Sequence, residues 1–379
     1  MLGQVKYSPA LSKAAEKGDA DAQFKLGICY EQGLGVQQDI QAAYEYYEMA
    51  ARQGNPGAQN NLGYLYFNGL GVEQDKKEAY KWYRQAANKG VTSAQFSLGM
   101  CFETGQGIEK NSSEALKWYT MAAEKGHARA QYNLGRLLCN GYGGSVVKQE
   151  AIKWLRSAAE QDEIDAMNDL AYCYKYGEGV DPDPGQALRW YRRAAELGDA
   201  KAQYELGLMH EKGEGTRKDF NEAFEWYRLS AGQNNPHAHY KLAQAYFMGM
   251  GTEKDASLGR KWLVSAAELG EPNAQYELGK AYYNGDDFTE NHSEAAKWFL
   301  RAANQGHADA QYETGICYAF GDGFPANAYE AFFWLSLASA GGQQEALQAR
   351  DLLVSEFSRE DIDNILLRIE DWFAEHYSN

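Results

Sequence analysis

No run of 18 apolar residues occurs anywhere in this 379-residue chain, so no helix of it is expected to cross a membrane. The opening, MLGQVKYSPA, lacks the apolar core that a secretory signal needs. As it stands the sequence reads as cytoplasmic, with periplasmic or secreted as the alternative if a leader has been removed. Positive charge is scarce: 37 Lys and Arg face 53 Asp and Glu, a net charge of −16. That balance argues against a broad phosphate-binding surface, and therefore against nucleic acid as the partner. Cysteine is scarce as well. The five cysteines make no disulfide framework: Cys29, Cys101, Cys173 and Cys317 fall on one repeating position that other parts of the chain fill with Leu, Met or Ala. Cys139 stands two places further along and can approach only Cys101 or Cys173.

The signatures of chemistry are equally sparse. Nine Gly-x-Gly or Gly-x-x turns occur, but none leads into Gly-Lys-Ser/Thr, so none is a phosphate loop. There is no nucleophile elbow. His237 and His239 look like a metal pair, yet residues two apart on a helix point about 200° apart, and Pro236 marks a helix start instead. No catalytic residue, cofactor or metal site is predicted, and the chain is expected not to be an enzyme. An enzyme built on carboxylates from different repeats is the least favoured reading.

What the chain has in abundance is repetition. AQYELG occurs at 202–207 and again at 274–279, with the related AHYKLA midway at 238–243. Steps of 36 from Ala202 land on Ala22, Ala58, Ala94, Ala130, Ala166, Ala238, Ala274, Ala310 and Ala346. A fixed period of this length signals a solenoid, whose units bury their apolar faces only against one another. Counting from each anchor alanine, positions 0, +4, +5 and +8 form one helical stripe, and glycine at +11 suits a left-handed helix stop. An N-cap at +17 with an acid three residues on (Asp75/Glu78, Asn111/Glu114, Asp219/Glu222, Asn291/Glu294, Asn327/Glu330) reads as a capping box opening a second helix. Asp183 also caps, with Pro184 next to it. The second helix is expected to bury Ala79, Trp82, Tyr83, Ala86 and Ala87, with the tryptophans at +24 forming a core slot rather than a sugar- or base-stacking row.

The predicted organisation is an all-α solenoid: a capping helix at 1–21, nine repeats at 22–345 and capping helices at 346–379, the last strongly acidic. Repeat four breaks the rhythm, with Val147 where the N-cap belongs and Asp162 for the closing glycine; repeat eight has Asp287 for a turn glycine.

The recurring A-x-x-x-L-G, G-x-G-V and D-x-x-x-A-x-x-W-Y-x-x-A-A-x-x-G resembles the Sel1-like repeat family, relatives of the tetratricopeptide repeats. The resemblance implies a right-handed α/α superhelix and a non-enzymatic adaptor role. It also points to a bacterial member, of the kind that serves in envelope, signalling or host-interaction systems. The cysteine-rich branch of the family pairs thiols within each repeat, and this chain lacks that pattern.

Function is expected where the repeats differ. Positions +3, +6, +9 and +10 of the first helix lie opposite the shared stripe and, in tetratricopeptide-like arrays, face the concave groove. They carry Tyr64, Phe67, Met100, Arg136, Tyr172, Tyr176, Gln244, Phe247, Met248, Lys280, Tyr283 and Phe320. Aromatic and Met side chains in a groove suit capture of a peptide or helix from a partner protein. The expected molecule is a monomeric scaffold of this kind; the alternative is an envelope protein that binds glycan or regulates an envelope enzyme.

Overall fold

The computed structural model describes residues 5–140, 145–286 and 288–377, and these fold into 21 α-helices and a single 3-10 turn, with no strand among them. They form two compact units, residues 1–190 and 191–379.

The first unit begins with α1 (Pro9–Glu16) and continues as antiparallel pairs: α2 and α3 (Ala20–Gln32, Ile40–Arg52), α4 and α5 (Pro56–Asn68, Lys76–Asn88), α6 and α7 (Thr92–Thr104, Ser112–Glu124), α8 and α9 (Ala128–Asn140, Ser145–Ala159), then α10 (Ile164–Tyr176). Each helix from α1 to α10 packs on its neighbours in sequence. The helix α11 (Pro184–Glu196) runs across the boundary. The second unit pairs α12 with α13 (Ala200–Lys212, Phe220–Ala231), α14 with α15 (Pro236–Met248, Ala256–Glu268), α16 with α17 (Pro272–Asn284, His292–Ala303) and α18 with α19 (Ala308–Phe320, Ala328–Ala340), followed by α20 (Gln344–Leu353), the 3-10 turn Val354–Glu356 and α21 (Arg359–Tyr377). The last helix folds back on α19: Ile365 is buried, and Trp372 packs with the cluster around Phe332, Phe333 and Trp334. Arg368 grips Glu330 with two bonds of 2.7 and 3.1 Å.

Three local interactions explain the repeated residues. Glycine at +5 lets the second helix close onto the first: a Cβ on Gly99 would stand 2.6 Å from the Tyr119 ring. The glutamine at +1 is buried, and its amide donates to the carbonyl eight residues earlier, from Gln59 to Ala51 and from Gln275 to Ala267 at 3.1 Å each. It thereby adds a second bond to a carbonyl in the last turn of the preceding second helix, which already accepts from the closing glycine, Gly54 or Gly270. His239 does the same from the glutamine position, with Nε2 2.9 Å from the Ala231 oxygen, and α14 does begin at Pro236. The third interaction is a turn lock: in eight repeats the backbone N–H of the second-helix cap donates to the carbonyl at +8 of the first helix, for example Asp75 to Tyr66 and Asn327 to Tyr318.

That lock corrects the capping boxes. Asp75 and Asn111 do accept from the N–H groups at the helix start. The return half does not form, because the cap's own N–H is already spent on the +8 carbonyl, and Glu78 and Glu114 bind Lys81 and Lys117 instead. A reciprocal pair occurs at Ser358 and Asp361, which opens α21.

The tryptophan slot is also corrected. Trp118 and Trp334 are buried, but Trp82, Trp154, Trp190, Trp226, Trp262 and Trp298 are only half-buried. The sealed position is the next one, +25, occupied by Tyr47, Tyr83, Tyr119, Tyr227 and Phe299 among others. One residue is about 100° of helix, so +25 points at the +5 glycine while +24 points at the flank, where Trp82 packs against the cluster of α3 and α4.

The irregular repeat four absorbs its changes. Its second helix starts at Ser145, so Val147 sits inside the helix rather than ahead of it. Asp162 takes φ +65 at the closing position, as Asn234 does at φ +61 two repeats later; short polar side chains tolerate this geometry. Asp287 lies outside the described residues. The residue after the closing position stands at the cap of the next first helix: Asp19, Asn55, Asp199 and Asn235 accept from its N–H groups. Glu163 occupies the same place and makes no such side-chain bond. Glu163→Asp is therefore expected to stabilise the protein by about 1 kcal/mol, read as a higher denaturant midpoint. No gain, or a loss, would show that the longer side chain holds the turn by other means.

Candidate functional site

The face to examine is the side of each first helix turned away from its packed stripe. At +6 and +10 this face carries large apolar groups in water. In the first unit Tyr64 and Tyr172 are about half exposed, and Tyr176 is 58% exposed. The Tyr172 and Tyr176 rings meet at 4.5 Å, one helical turn apart on α10. In the second unit Met248 and Phe320 stand 65% and 79% exposed at the ends of α14 and α18, and Tyr283 is exposed on α16. Tyr283 lies flat on His292 at 4.5 Å, and Asp322 bonds the His292 ring at 2.6 Å. The Asp322 carboxylate raises the His292 pKa above the usual histidine value.

Other candidate positions are committed to the fold. Phe67 is half-buried beside Tyr83, with the Lys76 ammonium 3.4 Å from its ring centre. Met100 packs on the α6–α7–α8 cluster and Phe247 on the α14–α15–α16 cluster. Arg136 is tied to Glu103. Gln244 is half-buried near Tyr240. Lys280 pairs with Glu277 at 3.0 Å and lies over the Tyr276 ring.

Sequence reasoning missed why +9 varies. Where +9 is glutamate, its carboxylate receives the hydroxyl of the +25 tyrosine: Tyr47 to Glu31 at 2.7 Å, Tyr119 to Glu103 at 2.6 Å, Tyr227 to Glu211 at 2.5 Å. Burial, with the carboxylate second, raises the pKa of each of these tyrosines. A cation from the next repeat joins, Lys241 to Glu211 at 2.9 Å. The signal in the sequence is partial: every Glu at +9 is accompanied by Tyr at +25, but Tyr83 and Tyr191 occur there with Phe67 and Lys175 at +9.

A cleft of about 260 Å³ opens between α14–α15 and α16, lined by Phe247, Arg260, Lys280, Asn284, Asp286 and Phe288 among others. Among the described residues no three His, Cys, Asp or Glu side chains are placed to hold a metal ion, and no helix is long and apolar enough to cross a membrane.

The Sel1 repeat pattern matches nine consecutive segments, 20–55, 56–91, 92–127, 128–163, 164–199, 200–235, 236–271, 272–307 and 308–343. The chain belongs to the Sel1 repeat family. Among solved structures, this Sel1 repeat protein is similar to a protective antigen present in uropathogenic Escherichia coli strains, at 30% identity over 97% of this chain and 86% of that one, with a TM-score of 0.64. It is likewise similar to a Sel1 repeat protein from Oxalobacter formigenes, at 30% identity over 91% and 89% of the two chains and a TM-score of 0.50. A curated mouse (Mus musculus) relative, DAP3-binding cell death enhancer 1, is 48% identical over 46 residues, which are 12% of this chain and 8% of that protein. The architecture is an all-α solenoid, and Sel1 repeat solenoids are in general protein-interaction scaffolds.

Proposed function

We propose that this Sel1 repeat protein is a non-enzymatic adaptor that holds a segment of a partner protein along the outward side of its first helices, in a bacterial signalling or host-interaction assembly. The observation that carries this reading is the recurrence of water-exposed aromatic and Met side chains at +6, +9 and +10, while the equivalent bulk at +25 is sealed in the core. Covering each such side chain stabilises a complex by roughly 1.5–3 kcal/mol. Three or four anchors together contribute roughly 4.5–12 kcal/mol before the costs of association are met. The likeness to an antigen of uropathogenic strains supports the host-interaction setting. Residues 1–21 and 346–379 act in this reading as end caps that shield the terminal repeats from water.

The test uses one variant per unit: Tyr64, Tyr172 and Tyr176 to Ser, and Met248 and Phe320 to Ser. Phe67 and Phe247 are left unchanged, because their removal would damage the core. Affinity capture from source and host lysates with quantitative mass spectrometry is expected to show a specific protein reduced at least about tenfold in one or both variants, with helical content unchanged. Equal recovery with wild type and both variants would overturn the proposal. Recovery of glycan in place of protein would favour an envelope role.

A further inference from the structure

The last helix, α21, folds back on α19, and a pocket of about 210 Å³ remains where they meet. Its floor is aromatic. Phe333 and Trp334 are 2% and 4% exposed, their rings 5.1 Å apart and edge to face, and Trp372 of α21 closes one side. Its rim is acidic: Asp371 and Glu375, one turn apart on α21, are exposed and line it. Arg368 lines it too, but its guanidinium lies 3.8 Å over the Phe333 ring and both carboxylate oxygens of Glu330 hold it, so its charge is already matched. Among the described residues that is the one ion pair made by α21, which leaves Asp371 and Glu375 with no cation.

We propose that this pocket takes an arginine side chain from a basic, leucine-containing segment of a partner protein, whose apolar residues cover the neighbouring face of α21. Three observations select a cation. The two rim carboxylates are unmatched. Asn304, the C-cap of α17, and Glu375, in the last turn of α21, both line the pocket, and helix C-termini carry partial negative charge that favours a cation. From Asp351 to the end of the chain eight acids stand against only Arg359 and Arg368, so a basic segment is drawn to this end from a distance. The aromatic floor selects arginine over lysine. A guanidinium is planar and weakly hydrated, and it can lie on ring carbon while its edge forks onto carboxylates; the compact ammonium keeps its water.

The helix face beside the pocket selects a peptide over a small free cation. Asp363, Leu366, Leu367, Glu370 and Asp371 recur at steps of three and four, so they share one side of α21. Ile365, on the opposite side, is sealed in the core. Leu366 and Leu367 are 48% and 59% exposed, and acids flank them along the helix. Leu367, Asp371 and Glu375 follow at four-residue steps, which carries the apolar face into the pocket rim. A leucine seated on Leu366 and Leu367 therefore leaves a nearby arginine within reach of Asp371 and Glu375. The pocket wall is held in place: His376 stacks on Trp372 at 4.0 Å and its Nε2 bonds the Asn304 carbonyl at 2.9 Å. This surface uses none of the +6, +9 and +10 side chains, so it stands or falls independently of the groove reading.

The probe is a fluorescein-labelled peptide of alternating arginine and leucine, titrated with the full chain and read by fluorescence anisotropy. It is expected to bind at least about tenfold tighter than a twin carrying citrulline, which keeps the shape and loses the charge, and at least about threefold tighter than a lysine twin. Asp371→Asn with Glu375→Gln is expected to weaken binding at least about tenfold, and Leu366→Ser with Leu367→Ser roughly tenfold. All four side chains are exposed, so helical content is expected to be unchanged. Glu356→Gln with Glu360→Gln removes the same charge from exposed positions elsewhere in this end of the chain, and is expected to leave affinity within about twofold. The proposal is overturned if the citrulline or lysine twin binds as tightly as the arginine peptide, or if the two charge variants weaken binding equally. It is also overturned if free arginine amide displaces the peptide at equal concentration, because the segment would then add nothing.

Discussion

Gly251→Ala is expected to destabilise the second unit by about 3–5 kcal/mol, whereas Gly249→Ala, two residues away, costs only about 1–2 kcal/mol. Both glycines have left-handed backbones, φ +72 and +70, so both pay for a Cβ in that conformation. What differs is space. A Cβ on Gly249 meets nothing nearer than 3.6 Å, whereas one on Gly251 stands 2.0 Å from the Phe220 carbonyl oxygen. That oxygen belongs to the first residue of α13, in the preceding repeat, and cannot withdraw unless the helix moves. The same contact recurs at Gly107 against Lys76 (2.0 Å) and at Gly323 against His292 (2.3 Å). The first glycine of the turn is thus a helix stop and the second is a joint between repeats. Denaturant unfolding followed by circular dichroism would check this; similar midpoint shifts for the two variants would refute the joint.

Glu211→Ala is expected to cost about 3–4 kcal/mol, the next largest effect. It strands two partners at once. The Tyr227 hydroxyl, on a side chain 3% exposed, loses its 2.5 Å acceptor. Lys241, with its side chain 20% exposed, loses the carboxylate that neutralises it. Tyr227→Phe removes donor and need together and is expected to cost about 1 kcal/mol. In the double variant the stranded hydroxyl is gone, so its cost is expected to fall short of the sum by about 1 kcal/mol or more. Strict additivity in that cycle would mean that the carboxylate and the phenol act independently.

These interactions bear on how the candidate face is read. Arg136 and Lys241 lie on the variable side of the first helices, yet each serves a carboxylate of the preceding repeat. Sequence offsets place a residue on a side of a helix; they do not say whether a neighbour two helices away has already engaged it. Tyr64, Tyr172, Met248 and Phe320 pass that second filter because about half or more of their surface is left uncovered. Phe67 and Phe247 do not, because their rings fill the space between the two helices of a repeat.

The period of 36, the two helices per unit, the left-handed stop at +11 and the burial of Cys29, Cys101, Cys173 and Cys317 were all legible in the residues alone. Each is a local matter of helical spacing, backbone conformation or a side chain's apolar character, and nine copies average out the noise of any one. Tertiary structure alone decided that the cap N–H groups go to the +8 carbonyls and that +25 rather than +24 is sealed. Those outcomes depend on the rotation of one helix against the next, and a rotation of one residue, about 100°, exchanges core for surface. A pattern of residue types fixes which stripe is apolar to within that angle; only the packed neighbour selects the side chain at its centre.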